Sequence, residues 1–325
     1  MPKAIRIYET GGPDVMRWES YDPGAPGPGE VRLRHEAVGL NFIDIYHRTG
    51  LYPLPSLPAT IGLEGAGIVE ETGEGVTEFA PGDRVAYAAV PPGAYAEVRC
   101  MPSHGLIKLP DNISSRQAAS MMLQGMTARF LLRGCYNVTP ETTILIHAAA
   151  GGVGSIVCQW ARHLGATVIG TVGTAEKADL AARLGCDFPI QYNKEDFTAR
   201  VNEITDGKGV DVVYDSIGQA TFMKSLDCVR PIGLMVSFGQ SSGPVPPFDL
   251  GILGAKGSLF LTRPSLINYT AKREDLLTHA NDLFDVVGNG VVKIEVSQTF
   301  PLQEAAQAHS DLENRKTTGS IVLIP

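Results

Sequence analysis

The sequence contains few cysteines, and no two of them stand at metal-binding spacing. Five cysteines are spread over 325 residues, and no C-x-x-C motif occurs. Structural zinc lobes and redox-active dithiols usually require such a pair. We therefore expect free thiols and no structural zinc site.

The sequence also lacks a basic cluster and a long apolar run. Its formal net charge is −8, whereas a nucleic-acid-binding surface needs clustered basic residues, so no nucleic-acid partner is expected. A membrane-spanning helix needs about 18 consecutive apolar residues, and the chain contains no such run. The N-terminal "MPKAIRIYETGG" has no apolar leader core. These absences favour a cytoplasmic protein without a membrane segment.

Two domains are expected because the chain exceeds the usual size of one hydrophobic core. Residues 1–121 contain short alternating segments such as "AIRIYE" and "EVRLRHEAVGL" between Gly and Pro residues, which indicates β structure. Residues 122–262 alternate apolar segments with helical patterns, which predicts a doubly wound parallel sheet. Its strands are expected at "TILIHAA", "TVIGTVG", "FPIQY", "VDVVYDS" and "LMVSFG". Residues 263–325 add a long helix and a final strand, "GSIVLIP".

The segment "HAAAGGVGS" (147–155) resembles a dinucleotide-binding glycine loop with one glycine replaced. The G-x-G-x-x-G pattern is filled by Ala149, Gly151 and Gly154, and alanine tolerates the first turn if its φ stays negative. An apolar strand precedes the loop and an amphipathic helix ending at Gly165 follows it, as the motif requires. The free N–H groups at the start of that helix predict a site for a diphosphate. The alternative is a glycine-rich turn without a ligand.

The end of the second strand lacks an acidic residue, which bears on the choice between NADH and NADPH. NADH-binding loops usually place Asp or Glu about 20 residues after the loop, where it binds the ribose 2′-hydroxyl. Here Gly173 ends the strand, Lys177 follows one helical turn later, and Tyr192 ends the third strand. A cation and a hydroxyl suit the 2′-phosphate of NADPH, which is therefore the predicted cofactor. The alternative for Lys177 is a solvated lysine on a helix.

Several motifs in one order resemble the medium-chain dehydrogenase/reductase superfamily. The segment "GLEGAGIVEETGEGVTEFAPGDRVAY" (62–87) is similar to its signature region. The segments "AVGLNFIDIYHRTGLYP", "HAAAGGVG", "GTVGTAEK", "VVYDSIG" and "GLMVSFGQSSGPV" resemble its zeta-crystallin-like quinone oxidoreductase branch. The resemblance implies an α/β fold with a GroES-like β-rich catalytic domain (1–121 and 263–325) and a doubly wound Rossmann domain that binds NADPH (122–262). It also implies a cleft between the domains and a homodimer.

By the same resemblance, the zinc ligands of related alcohol dehydrogenases are missing. Asn41 stands where those enzymes have a first cysteine, Leu63 where they have a histidine, and Gln124 near their second cysteine. Asn, Leu and Gln do not form a catalytic zinc site, so the resemblance implies an enzyme without a metal. Ile43 replaces the hydroxyl residue of the alcohol proton relay, which argues against alcohol oxidation. The resemblance gives no role to Glu64.

A quinone accepts a hydride without a metal, because conjugation spreads the developing negative charge and hydrogen-bond donors then suffice. Asn41, Tyr46 and Gln124 are the candidate donors, and a tyrosine of ordinary pKa near ~10 stays protonated. Tyr52 is expected to line the substrate site. The alternative for each residue is packing or cofactor contact alone, and Asn41 and Tyr46 are also candidate cofactor-binding residues.

Further cofactor-binding residues are carried over by matching position to the family. They are Thr127, Gly151, Gly152, Val153 and Gly154 at the nicotinamide and pyrophosphate, Gly173, Thr174, Lys177 and Tyr192 at the adenosine end, Ser216, Phe238, Gly239, Leu261, Thr262 and Arg263 at the ribose and nicotinamide, and Arg315 as a second cation for the adenosine phosphate. The alternative for Arg315 is an exposed surface residue.

The predicted activity is hydride transfer from NADPH to a small-molecule quinone. One alternative is an NADPH-dependent reductase that delivers the hydride to the conjugated C=C bond of an enone or alkenal. Another is a non-catalytic, crystallin-like protein that binds NADPH or RNA. The acidic net charge argues against RNA.

Overall fold

The computed structural model describes all 325 residues, which form two compact units. The first contains Met1–Met126, Thr270–Gly288 and Ile294–Pro325. The second contains Thr127–Tyr269 and Asn289–Lys293. None of the helices combines the length and apolar character that crossing a membrane requires.

Sixteen strands are numbered in chain order. They are β1 (Lys3–Ile7), β2 (Arg17–Ser20), β3 (Glu30–Leu40), β4 (Ala59–Thr60), β5 (Glu64–Thr72), β6 (Arg84–Ala88), β7 (Val98–Pro102), β8 (Ile107–Lys108), β9 (Thr143–His147), β10 (Thr167–Val172), β11 (Phe188–Gln191), β12 (Val210–Asp215), β13 (Val229–Ser237), β14 (Phe260–Thr262), β15 (Val296–Pro301) and β16 (Ser320–Ile324).

Eleven α-helices connect them. They are α1 (Phe42–Thr49), α2 (Ser115–Ala119), α3 (Met122–Phe130), α4 (Gly152–His163), α5 (Ala175–Arg183), α6 (Phe197–Ile204), α7 (Phe222–Cys228), α8 (Gly251–Ala255), α9 (Leu266–Tyr269), α10 (Arg273–Gly288) and α11 (Ala305–Glu313). Short 3₁₀ turns lie at Pro13–Val15, Ser103–Gly105 and Leu302–Glu304, and a π-helical turn lies at Leu131–Cys135.

The first unit is β-rich, as the alternating segments of its sequence predict. A seven-stranded sheet has the order β15-β16-β3-β5-β6-β8, with β7 paired to β3, and a smaller sheet has the order β2-β1-β4. In β3, charged residues such as Arg34 and Glu36 point to one face, while Val31, Leu33 and Ala37 are fully buried. This period of two is what a sheet with one face in a hydrophobic core requires.

The second unit contains one six-stranded parallel sheet of order β11-β10-β9-β12-β13-β14. This is the 3-2-1-4-5-6 order of a Rossmann fold, so the predicted fold class is confirmed. The five predicted strands correspond to β9–β13. The sixth, Phe260–Thr262, was missed because three partly exposed residues carry no strand periodicity.

Candidate active site

The glycine loop follows β9 and reverses the chain at an alanine. Ala148 has φ +55°, while Ala149 is not among the residues with positive φ. Ala149 therefore keeps the negative φ that an alanine at this position requires. Its neighbour Ala148 adopts the left-handed conformation instead, which costs about 1 kcal/mol of conformational free energy. Gly151 N–H donates to the Ala148 carbonyl at 2.8 Å and closes the turn. The Ala149 methyl is fully buried where Gly170 of β10 has no side chain to obstruct it.

The two glycines of the loop serve different purposes. A Cβ on Gly154 would lie 2.2 Å from the Ala148 carbonyl oxygen and 2.8 Å from Ala149 Cα, so this glycine allows α4 to pack on the turn. A Cβ on Gly151 would approach only the Ala148 residue, with its carbonyl oxygen at 3.1 Å. Gly151 precedes α4 and no side chain caps the helix. The first N–H groups of α4 therefore have no partner within the helix and suit an anion.

The predicted adenosine-end residues lie together at the ends of β10 and β11. A Cβ on Gly173 would lie 2.8 Å from the Tyr192 hydroxyl, so this hydroxyl stands over the glycine backbone. Thr174 caps α5 by accepting the Lys177 N–H at 3.3 Å, which places Lys177 in the first turn of that helix. The sequence pattern did not single out Glu176 in the same turn. Its pKa is lowered by its own backbone N–H and by the Thr174 hydroxyl.

The residues predicted for the ribose and nicotinamide lie at the ends of β12, β13 and β14. Gly239 approaches Ser216 so closely that a Cβ would lie 2.6 Å from the Ser216 carbonyl oxygen. Phe238 N–H donates to the Asp215 carbonyl at 2.8 Å. Arg263 donates to the Ser237 carbonyl at 2.8 Å. Leu261 and Thr262 pair with β13 in parallel register, and Thr127 is a buried residue of α3.

A buried polar network beneath this edge has no signal in the sequence. The ring nitrogens of His147 contact Thr171 Oγ1 at 2.8 Å and Ser225 Oγ at 2.9 Å. The Ser225 hydroxyl donates to Asp215 Oδ2 at 3.0 Å, and Asp215 Oδ1 accepts the N–H groups of the turn that follows β12. The network joins the ends of β9, β10 and β12, and no local pattern reveals such pairing.

In the first unit, the predicted donors Asn41 and Gln124 belong to one hydrogen-bonded chain. Asn41 Nδ2 donates to Glu64 Oε2 at 2.6 Å, and Gln124 Nε2 donates to Asn41 Oδ1 at 3.1 Å. The Ser320 hydroxyl then donates to Gln124 Oε1 at 2.7 Å. Leu123 N–H donates to Glu64 Oε1 at 2.9 Å. The four polar side chains are all buried, so these hydrogen bonds are isolated from bulk water.

Two buried carboxyl groups lie in this region. Burial raises the pKa of the Glu64 carboxyl to about 8, although the hydrogen bonds from Asn41 and Leu123 lower it. Burial raises the pKa of Asp44 to about 7, although the Asn41 N–H and the Tyr95 hydroxyl lower it. Asp44 sits in the first turn of α1 and accepts the Asn41 N–H at 2.9 Å. It therefore caps the start of α1, which follows Asn41 and carries Tyr46.

A second chain of hydrogen bonds ends on Asp44. Arg48 contacts His309 Nδ1 at 3.1 Å, and His309 Nε2 contacts the Tyr95 hydroxyl at 2.9 Å. Tyr95 donates to Asp44 at 3.2 Å. Because Arg48 has only donors, His309 Nδ1 accepts and Nε2 carries the proton. Arg48 also forms a 2.8 Å ion pair with Glu313, so the chain ties α1 to α11.

We expect the stability of the protein to fall as the pH decreases from about 6.5, in part because of His309. Burial lowers the pKa of this ring to about 3, while the unfolded chain takes up the proton near 6.5, so acid favours unfolding. A His309→Gln variant keeps one acceptor and one donor but does not titrate. Urea unfolding between pH 4.5 and 5.5 should give a slope of the unfolding free energy about 1.4 kcal/mol per pH unit smaller in the variant, and above pH 7.5 the two slopes should coincide. Burial also lowers the pKa of His35 to about 3. Because His35 is unchanged in the variant, its contribution to the slope should remain. Equal slopes in the acid range would contradict this account.

The remaining predicted residues lie within or just after the chain's first helix, or at the surface. Tyr46 is buried in α1, and its ring packs edge-on against Tyr52 at 5.2 Å between centroids. Tyr52 N–H donates to the Tyr46 carbonyl at 3.0 Å. Arg315 follows α11 as an exposed residue with φ +58° in the first unit. No group of three or more His, Cys, Asp or Glu side chains is arranged to hold a metal ion.

Comparisons with known proteins extend over the whole chain. Residues 152–278 match the zinc-binding dehydrogenase family model, and residues 27–111 match the alcohol dehydrogenase GroES-like domain. The chain is 52% identical to a quinone oxidoreductase of Pseudomonas aeruginosa over the full length of both proteins. It is 50% identical to a 2-haloacrylate reductase of a Burkholderia species, over 100% of this chain and 99% of the relative. The solved structure of Escherichia coli quinone oxidoreductase complexed with NADPH matches with a TM-score of 0.98 and 49% identity, over 99% of this chain and 100% of that one.

Proposed function

This chain belongs to the quinone oxidoreductase family of the medium-chain dehydrogenase/reductase superfamily, and we propose that it reduces a quinone with NADPH. The observation that carries the proposal is its end-to-end likeness to quinone oxidoreductases, one of which is solved with NADPH. NADPH supplies the hydride when bound.

The residues of the second unit fit such a cofactor. The uncapped start of α4 offers N–H groups to a diphosphate, and Gly151 leaves the approach open. Gly173 and Tyr192 form a small cradle beside Lys177 that a larger side chain would fill. We propose that the amides bind the diphosphate and that Lys177 and Tyr192 bind the 2′-phosphate. In the same proposal the ribose and nicotinamide bind beside Gly239, whose backbone packs against that of Ser216 and leaves no room for a side chain. The assignment of residues 122–262 as the NADPH-binding domain is part of this proposal.

The residues of the first unit supply hydrogen-bond donors. In our proposal Asn41, Tyr46 and Gln124 orient the substrate or the nicotinamide, and Tyr52 lines the substrate site beside Tyr46. Quinone oxygens gain negative charge as the hydride arrives, and buried amide or phenol donors stabilise that charge more strongly than water does. Asn41 and Gln124, which stand where related alcohol dehydrogenases have zinc ligands, form a hydrogen bond with each other.

An enone reductase is the second candidate. The observation that favours it is 50% identity to a 2-haloacrylate reductase over the whole chain. A haloacrylate carries a conjugated C=C bond, and the same donors would stabilise the enolate that forms.

Turnover of NADPH with 1,4-benzoquinone, 2-cyclohexen-1-one and 2-chloroacrylate distinguishes the two candidates. We expect the quinone to give a kcat/KM at least tenfold above that of either conjugated alkene. The measurement follows the absorbance of NADPH, with NADH as the cofactor control. Rapid alkene reduction without quinone turnover would transfer the assignment to the second candidate.

We further propose that the protein is a homodimer in the cytoplasm. Strand β14 is at the edge of the six-stranded sheet, with a partner on one side only. Phe260 on this strand is 60% exposed, and Ile232 of the neighbouring strand β13 is 64% exposed. An exposed apolar edge strand favours pairing with a second copy. All five cysteines are free, which is typical of a reducing compartment.

A further inference from the structure

Glu64 is a buried acidic group that accepts a hydrogen bond from the side chain of a proposed donor, and the proposed function gives it no task. It lies at the start of β5 with no exposed surface. Gly39 of β3 makes room for it, since a Cβ there would lie 2.3 Å from Glu64 Oε2 and 2.2 Å from the Ala119 carbonyl oxygen. A side chain at position 39 would displace the carboxyl group. The site is therefore built to hold an acid against the Asn41 amide.

The two amides next to Glu64 can be ordered in either of two directions. With an ionised carboxylate, Asn41 Nδ2 donates to Glu64, Gln124 Nε2 donates to Asn41 Oδ1, and Ser320 donates to Gln124 Oε1. With a protonated carboxyl group, Glu64 donates to Asn41 Oδ1, Asn41 Nδ2 donates to Gln124 Oε1, and Gln124 Nε2 donates to the Ser320 oxygen. Every member keeps a partner in both directions, because an amide has donors and acceptors at opposite ends and a hydroxyl accepts as well as donates.

We propose that Glu64 is a positioning residue whose protonation sets the direction in which the Asn41 and Gln124 amides point. When the order reverses, the Asn41 amide group and carbonyl oxygen exchange places. The N–H and the lone pair that Asn41 does not use within the chain of hydrogen bonds therefore exchange places as well. The proton comes from solvent, and no bond to carbon is made or broken. This inference rests on the proposed function only where it concerns catalysis.

Few groups around Glu64 change charge in the relevant pH range. Those facing it or its neighbours are Asp44 of α1, Tyr87 of β6 with His35 and Arg99 behind it, and Tyr95 with His309 and Arg48 behind it. Burial raises the pKa of both tyrosines and lowers the pKa of both histidines to about 3. Between pH 6 and 9.5 the two carboxyl groups are therefore the titrating pair. The pKa of Glu64 is raised to about 8 and that of Asp44 to about 7.

A Glu64→Gln variant should lock the amides in one direction. Glu64 Oε1 accepts the Leu123 N–H at 2.9 Å, and the carboxyl group also accepts the Met122 N–H, so the glutamine oxygen must stay on that side. Its NH₂ group then faces Asn41 and donates to Asn41 Oδ1. This is the direction of the protonated acid, and it does not change with pH.

The first test needs neither cofactor nor substrate. NMR of side-chain amides in ¹⁵N-Asn,Gln-labelled full-length protein, from pH 6 to 9.5, should show Asn41 and Gln124 shifting with one common midpoint. In Glu64→Gln both signals should stay constant, and in Asp44→Asn the common transition should persist. A wild-type chain without a transition, or a transition that survives in Glu64→Gln or disappears in Asp44→Asn, would overturn the proposal. The wild-type titration decides even if the Gln variant fails to fold.

The second test measures hydride transfer from NADPH to 1,4-benzoquinone over the same pH range. Wild-type kcat should have two plateaus that differ about fivefold, as expected for one neutral hydrogen bond gained or lost. Glu64→Gln should show a single plateau equal to the acid plateau of the wild type. A Gln variant that keeps both plateaus, or that adopts the alkaline one, would contradict the proposed direction of the amides. Absence of quinone turnover would refute the proposed function, while the NMR transition would still support the role of Glu64.

Discussion

Replacing Gly151 by valine is expected to raise the dissociation constant for NADPH about a hundredfold or more while leaving the protein folded. Its backbone is extended, with φ −84° and ψ 179°, and any residue adopts that conformation without strain. A side chain there would instead occupy the approach to the N–H groups of α4. Each hydrogen bond to a charged phosphate oxygen contributes about 1.5–3 kcal/mol, so losing two accounts for the effect. Fluorescence titration with NADPH and a thermal melt of the free protein measure the two quantities.

Gly154→Ala is the matched control, since it adds one methyl group in the same loop. The close approach to Ala148 and Ala149 predicts overpacking, which costs about 1–3 kcal/mol of unfolding free energy. This variant should therefore melt at a lower temperature than Gly151→Val, whose Cβ would lie 3.1 Å and not 2.2 Å from the Ala148 carbonyl oxygen. If Gly151→Val bound NADPH normally, the loop would not be a diphosphate site, and if both variants lost stability equally, the two glycines would not have the different roles assigned to them.

Replacing Lys177 by alanine is expected to raise the KM for NADPH by about one to two orders of magnitude and to change the KM for NADH little. Lys177 lies in the first turn of α5, next to the Gly173–Tyr192 cradle. A charge-assisted hydrogen bond to the 2′-phosphate contributes about 1.5–3 kcal/mol, and NADH has no such phosphate. Steady-state kinetics with each cofactor and a saturating quinone measure both values.

Two variants define the specificity of that effect. Lys177→Arg keeps the cation and should retain most of the preference for NADPH, and Lys208→Ala removes an exposed lysine elsewhere in the second unit and should change neither KM. If Lys177→Ala raised the KM for NADPH and the KM for NADH by the same factor, this lysine would support the fold of α5 and would not bind the 2′-phosphate.

The sequence predicted the second unit well because its information there is local. Strands β9, β10 and β12 are apolar segments in the interior of the sheet, and helix α4 repeats its apolar residues every three or four positions before ending near Gly165. Its omission has the same origin, since the short strand β14 is defined by its pairing with β13 and not by a pattern of its own.

Sequence alone determined the class of this protein: alternating apolar segments, the loop at 147–155 and the family motifs sufficed for its fold and cofactor. What only the tertiary structure decided is how the buried polar groups pair. Asn41 and Glu64 are 23 residues apart, Gln124 and Asn41 are 83 apart, and Ser320 and Gln124 are 196 apart. A hydrogen bond depends on distance and direction in space, to within a few tenths of an ångström, and neither is encoded in the spacing of residues along the chain.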